Sequence, residues 1–269
     1  MKRSLAITGV IFTLATMTYG QISADASEIN LVLSADESVF YAKSIAFDYF
    51  SFNLDPSASL EFGTSGSLGV AASGVIIKSV LADDADVFQF SLNSVKAFGR
   101  IRLLEKEATT LYGSLLVQIP LGTDVASDSD EIDYVCNAGR RWSFKLGGHI
   151  EYLDDPVILA IAPYCGYDIA RDWDTKDSYL VIGNSVASAF AITDKLAVKV
   201  IIDLKYNYPM EGGYTDTLVR NGMSSSITFS FVQKIGKVQS EGGIQRSLAI
   251  LGQTQYVGST SYAIPLSKD

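Results

Sequence analysis

Residues 142–156 read WSFKLGGHIEYLDDP, and this stretch has the clearest structural pattern in the chain. Successive side chains of a β-strand point to opposite faces, so alternate residues share a side. One face is apolar and begins and ends with an aromatic residue: Trp142, Phe144, Leu146, Gly148, Ile150 and Tyr152. The other face is mostly polar: Ser143, Lys145, Gly147, His149 and Glu151. A strand of about ten residues with this alternation and flanking aromatics is typical of outer-membrane barrels, although a soluble sandwich strand can alternate in the same way.

The alternation recurs along the chain. In residues 198–208 valine, isoleucine, leucine and tyrosine oppose Lys199, Asp203 and Lys205. We predict about twelve strands, within a range of 10 to 14, near 38–54, 57–63, 67–79, 87–104, 110–121, 140–153, 157–171, 178–192, 196–208, 223–235, 239–251 and 255–266. Around Tyr49 and Phe50 the apolar face changes parity, which a β-bulge would explain. The fold class predicted is all-β, an antiparallel up-and-down transmembrane β-barrel.

The predicted connections alternate in length. Short links at 64–66, 154–156, 193–195 and 236–238 alternate with longer ones at 80–86, 122–139, 172–177 and 209–222. Outer-membrane barrels have short periplasmic turns and longer external loops. This register predicts that 122–139 and 209–222 are external. Two links depart from it, since 105–109 should be shorter and 252–254 longer.

The N-terminus predicts export. Lys2 and Arg3 precede an apolar run from Leu5 to Met17, and Ala24-Asp25-Ala26 follows. A basic start, a short apolar run and an A-x-A site describe a secretory signal peptide. The run is shorter than the roughly 20 residues of a spanning helix. We therefore expect a signal peptide at 1–26 and a single barrel domain at 27–269.

Composition excludes some partners. The formal net charge is −9, and no basic block appears, so nucleic acid is a poor candidate partner. Past the signal no apolar run approaches the length of a membrane-spanning helix. The partners expected are membrane lipid and small-molecule solutes, and the sequence leaves the oligomeric state open.

Two segments resemble a known family. The segment Tyr152-Leu-Asp-Asp-Pro156-Val-Ile-Leu, running on to Gly166-Tyr167, resembles the mid-barrel hairpin of transporter-like outer-membrane barrels associated with phenol meta-pathway degradation clusters. Leu115-Leu-Val-Gln-Ile-Pro120-Leu-Gly122-Thr resembles the strand before a long loop in that family. The resemblance covers roughly 110–266. It implies an outer-membrane channel for small or hydrophobic compounds, with no known cofactor.

Charged residues on the polar faces are the candidate pore-lining groups: Arg100, Arg102, Lys145, His149, Glu151, Lys199, Asp203 and Lys205. In a barrel such groups form a cross-lumen network or line a water-filled path. The five cations outnumber Glu151 and Asp203, so the sequence predicts a channel with some anion preference.

Other chemistry is weakly indicated. The single histidine, His149, has Glu151 two residues on, but no nucleophile can be placed beside it. We expect no catalytic residue, metal site or cofactor. The acidic loop from Asp124 to Asp133 lacks the spacing of a calcium-binding EF-hand, and a solvated loop is the favoured interpretation. Cys136 and Cys165 are either paired or two free thiols.

The function predicted is therefore a non-enzymatic outer-membrane channel of porin type that passes small solutes. Two alternatives stay open. One is a plugged structural or enzymatic outer-membrane barrel, and the other is a soluble exported β-sandwich.

Overall fold

The computed structural model describes residues 29–43, 47–81, 86–121, 141–169, 178–209, 222–248 and 254–266. Within these ranges the chain forms strands, in the order β1 Ile29–Lys43, β2 Phe47–Phe62, β3 Gly66–Leu81, β4 Asp86–Lys106, β5 Thr109–Pro120, β6 Trp142–Asp154, β7 Val157–Ile169, β8 Tyr179–Thr193, β9 Leu196–Pro209, β10 Met223–Ile235, β11 Val238–Ser247 and β12 Thr254–Pro265. No helix in this described part is long and apolar enough to cross a membrane.

The strands form one closed sheet. Each strand pairs antiparallel with its sequence neighbours, and β1 pairs with β12 to close the barrel. The prediction of an antiparallel barrel with twelve strands is confirmed. The β-sandwich alternative is wrong, because a sandwich consists of two sheets and this sheet closes on itself.

The prediction for the first two strands is wrong. Residues 38–54 were expected to form one strand with a bulge near Tyr49, whereas β1 begins at Ile29 and the chain reverses between Lys43 and Phe47. The change in parity comes from this reversal, since β1 and β2 pair antiparallel across it. Register shifts of the kind a bulge produces occur elsewhere, for example between Ser73 and Gly74.

One end of the barrel has only tight turns. Short turns occupy 63–65, 107–108, 155–156, 194–195 and 236–237. The turn at 107–108 is short, so the link predicted at 105–109 is not an exception to the alternation of short and long connections. The predicted loops 122–139 and 209–222 lie almost entirely outside the described residues, as do the signal peptide, the acidic loop from Asp124 to Asp133, and Cys136.

The outer surface of the barrel is apolar. Leu146, Phe90 and Phe231 have 62%, 66% and 62% of their surface exposed. Large exposed apolar side chains come from every described strand except β5. The most deeply buried side chains include Ser94, Ser143, Ser178 and Ser230 together with Val181. This distribution is the reverse of a soluble protein, where large apolar groups are buried.

Candidate functional site

The strand register places all eight predicted pore-lining residues on the inner face. Residues paired across neighbouring strands share a face, and Arg100 pairs with Ser114, which in turn pairs with Gly147. On β6 the intervening Leu146 and Ile150 are exposed outside. On β9 Ile202 and Leu204 are exposed in the same way. Whether the eight side chains line a conducting path stays a prediction.

One interior cluster joins β4, β5 and β6. Glu151 Oε1 lies 3.3 Å from Arg100 Nη1 and 2.7 Å from His149 Nε2. The Arg100 guanidinium also stacks 4.4 Å from the centre of the Tyr112 ring. His149 therefore shares its carboxylate with an arginine, and no described serine, threonine or cysteine hydroxyl or thiol hydrogen-bonds to its ring. These contacts are those of a polar network.

A second cluster is centred on Asp168 of β7. Its carboxylate lies 3.7 Å from Lys145 Nζ and 3.6 Å from Lys205 Nζ. Ser143 Oγ donates a hydrogen bond of 2.6 Å to the same carboxylate. One carboxylate is thus shared by two lysines, and both N···O distances are longer than that of a good charged hydrogen bond.

A third set of interior charges joins β2 to β4 and β9 to β11. Lys199 Nζ donates to Glu241 at 2.9 Å, and Lys96 Nζ donates to Asp55 at 2.5 Å. Asp36 of β1 lies within electrostatic range of both pairs. No described side chain forms a salt bridge or hydrogen bond with the Asp36 carboxylate.

Apart from Glu151 and Asp203, the acidic groups of this interior were not predicted from the sequence. Asp36, Asp55, Asp168 and Glu241 all face inward, as does Lys96. Asp36 and Asp55 were missed because their two strands were placed wrongly. Alternation on β7 and β11 was too weak to assign a face to Asp168 or Glu241. These carboxylates offset the interior cations, which removes the basis for the predicted anion preference.

Two cavities lie inside the barrel. The larger, of about 540 Å³, is lined by Asp36, Asp55, Asp203 and Glu241 together with Thr228 and Ser259. The smaller, of about 350 Å³, is lined by Tyr164, Asp203, Lys205, Ser226, Gln245 and Gln255. Asp203, Gln245 and Gln255 belong to both linings, so the two cavities adjoin at these residues.

A glycine makes room for the tyrosine of the smaller cavity. A Cβ placed on Gly183 would lie 2.2 Å from Cζ of Tyr164. Gly183 pairs with Tyr164 across β7 and β8, so the ring lies flat over the glycine. Glycine at this position therefore allows a large side chain to lie along the inner wall.

The described residues contain no group of three or more His, Cys, Asp or Glu side chains that could hold a metal ion. Cys165 is exposed on the outer face. Because Cys136 lies outside the described residues, the question of a disulfide stays open.

Comparisons by sequence found nothing: no family model and no curated protein matches this chain. Solved structures do match. An outer membrane channel from Pseudomonas putida F1 superposes with a TM-score of 0.60 at 10% identity, covering 88% of this chain and 96% of the channel. The NanC porin gives 0.55 at 8% identity, covering 86% of this chain and 100% of the porin. The translocator domain of the autotransporter NalP from Neisseria meningitidis gives 0.51 at 10% identity, covering 95% and 97%. At these identities the likeness is one of fold, and the chain has the fold of outer-membrane β-barrels.

Proposed function

We propose that this protein is an outer-membrane channel for small polar solutes. The observation that carries the proposal is the pair of adjoining polar cavities inside a closed barrel whose outer surface is apolar. Closed barrels can span a membrane because every strand is paired, and an apolar exterior matches the lipid interior. The expected signal peptide at 1–26 would deliver the chain to that membrane.

The polar interior favours polar solutes over hydrophobic ones. The cavity linings are dominated by serine, threonine, glutamine and carboxylate groups. A hydrophobic compound would have to displace water from these groups without replacing their hydrogen bonds, which is unfavourable. The association with phenol degradation, suggested by the resemblance over roughly residues 110–266, therefore has no support from the chemistry of the interior.

The channel is tested by cysteines placed on either side of one strand. Ser259 lines the larger cavity, and its neighbour Thr260 is exposed on the outer face. Starting from a variant in which Cys136 and Cys165 are serine, we would introduce Ser259→Cys or Thr260→Cys. Each protein would be inserted into a planar lipid bilayer and treated with a membrane-impermeant, positively charged thiol reagent.

We expect stepwise conductance from both variants and a stable block only of Ser259→Cys, since the reagent adds a bulky cation inside the lumen. Thr260→Cys serves as the control because its thiol faces lipid. A folded protein that gives no conductance would refute the channel and leave a plugged structural barrel. Equal effects on the two variants would show that the larger cavity is not on the conducting path.

A further inference from the structure

The smaller cavity is lined by two residues of opposite charge on the same strand. Asp203 and Lys205 both line it and stand two positions apart on β9, so their side chains leave the same face about 7 Å apart. No described side chain forms a salt bridge or hydrogen bond with the Asp203 carboxylate. Lys205 approaches a carboxylate only at 3.6 Å, at Asp168. The Asp203 carboxylate is therefore available to a solute in the cavity, and the Lys205 ammonium has only a long contact with a carboxylate that it shares with Lys145.

The rest of the wall is neutral and held in place. The Gln255 amide donates to Gln245 Oε1, and Gln245 Nε2 donates to Ser226 Oγ at 2.9 Å. These bonds join β12, β11 and β10 across the wall. A wall of ordered amide and hydroxyl groups can bind polar groups without adding charge. Selection by charge in this cavity therefore depends on Asp203 and Lys205.

We propose that this cavity binds small zwitterions, with the solute ammonium on Asp203 and the solute carboxylate on Lys205. The inference rests on the proposed channel and names its solute class. Because the two residues stand two positions apart on one face of β9, a single small solute with both charges can reach both groups.

Solutes with other charges fit this arrangement less well. A simple anion would bind Lys205 but would be repelled by Asp203. A simple cation would bind Asp203 but would be repelled by Lys205. An uncharged solute of the same size would replace the water around both charges without neutralising either. Only a solute with both charges satisfies both groups at once.

The experiment compares two isomers in proteoliposomes. Glycine is a zwitterion at neutral pH, whereas glycolamide has the same atoms and no charge, so size does not distinguish them. Osmotic swelling would report the entry of each, after subtraction of the rate in protein-free vesicles. We expect wild-type protein to admit glycine several-fold faster than glycolamide.

The variants separate local binding from the net charge of the lumen. Asp203→Asn and Lys205→Gln change that charge in opposite directions, and we expect both to bring the ratio of the two rates close to one. Asp194→Asn makes the same chemical change in the exposed turn before β9 and should keep the wild-type ratio. Correct folding of each variant would be verified by heat-modifiable electrophoretic mobility. If only one of the two interior variants folds, its ratio of entry rates is sufficient to test the site.

The outcomes distinguish the two proposals. Equal entry of both isomers into wild-type vesicles would overturn the zwitterion site and leave the channel intact. A ratio that rises in one interior variant and falls in the other would indicate a net-charge effect and would also overturn the site. Entry of neither isomer through folded protein would overturn the channel itself and, with it, the site.

Discussion

At the scale of single residues, the neighbouring groups determine how well each charged side chain is compensated. Glu241 accepts hydrogen bonds from both Lys199 and Ser230, so its charge is well compensated. Glu37 is different, because it lies on the outer face opposite Leu54 and its side chain passes over Gly258, where a Cβ would meet Glu37 Oε1 at 2.9 Å. An acidic group among lipid-facing residues is unusual and costs free energy.

Removing these two carboxylates should have opposite effects on stability. Glu37→Gln should raise the free energy of unfolding by about 1 kcal/mol, since acidic groups on the lipid face cost less than the roughly 2–4 kcal/mol of Arg or Lys at the midplane. Glu241→Gln should lower it by about 1–2 kcal/mol, since Lys199 loses a charged partner. Denaturant unfolding of both variants in lipid vesicles provides the measurement. A loss of stability in both would mean that Glu37 is not exposed to lipid.

The sequence identified the inward residues on strands with strong alternation and missed their partners. Lys145 and Lys199 could be assigned to a face because apolar residues flank them on both sides. Their carboxylates stand on strands where parity carries little information, because β7, with Asp168, is apolar on both faces and β11, with Glu241, is rich in glycine and small polar residues. Pairing also depends on the register of nearby strands, which brings together residues far apart in the chain.

At the scale of the elements, turn geometry explains where the strands end. Gly236, in the β10–β11 turn, has φ of 60°, in the left-handed region that favours glycine. The signal for such turns is local, and the sequence predicted this link at 236–238. The β1–β2 reversal was missed because the flanking segments are both rich in apolar residues, and no glycine or proline marks the break between Lys43 and Phe47.

Two glycine substitutions isolate the effect of backbone conformation. A Cβ at Gly236 or at Gly242 would meet nothing within 4 Å, but only Gly236 has a left-handed φ. Gly236→Ala should therefore lose about 1 kcal/mol of stability, from about 1–2 kcal/mol of left-handed strain less a gain from a stiffer unfolded chain. Gly242→Ala should be neutral or stabilising by up to about 1 kcal/mol. The midpoint of denaturant unfolding measures both, and equal shifts would mean that the turn does not strain alanine.

At the scale of the whole molecule, one inversion explains both the fold and the proposed function. Large apolar side chains cover the outside while serine, glutamine and ion pairs fill the inside. The sequence predicted this inversion and the strand number because both follow from a period of two repeated along the chain. It could not predict the adjoining cavities, since their walls combine β1, β2, β3, β7, β9, β10, β11 and β12 after closure.

Substitution of two adjacent residues of β9 tests whether the apolar outer face contacts lipid and the inner face lines a polar space. Val200 and Ile201 are both β-branched and apolar, but Val200 pairs with Phe229, which is 55% exposed on the outer face, whereas Ile201 lines the larger cavity. Val200→Arg should hinder insertion and lower stability by roughly 2–4 kcal/mol, because it places a cation in the lipid. Ile201→Arg should fold, since its guanidinium enters a polar space that contains carboxylates, and it should reduce conductance by narrowing the lumen. The folded fraction in lipid vesicles, measured by heat-modifiable mobility, reports the first effect, and planar-bilayer recording reports the second. Equal folding of the two variants would show that Val200 does not face lipid, and the membrane assignment would then lose its basis in the alternation of β9.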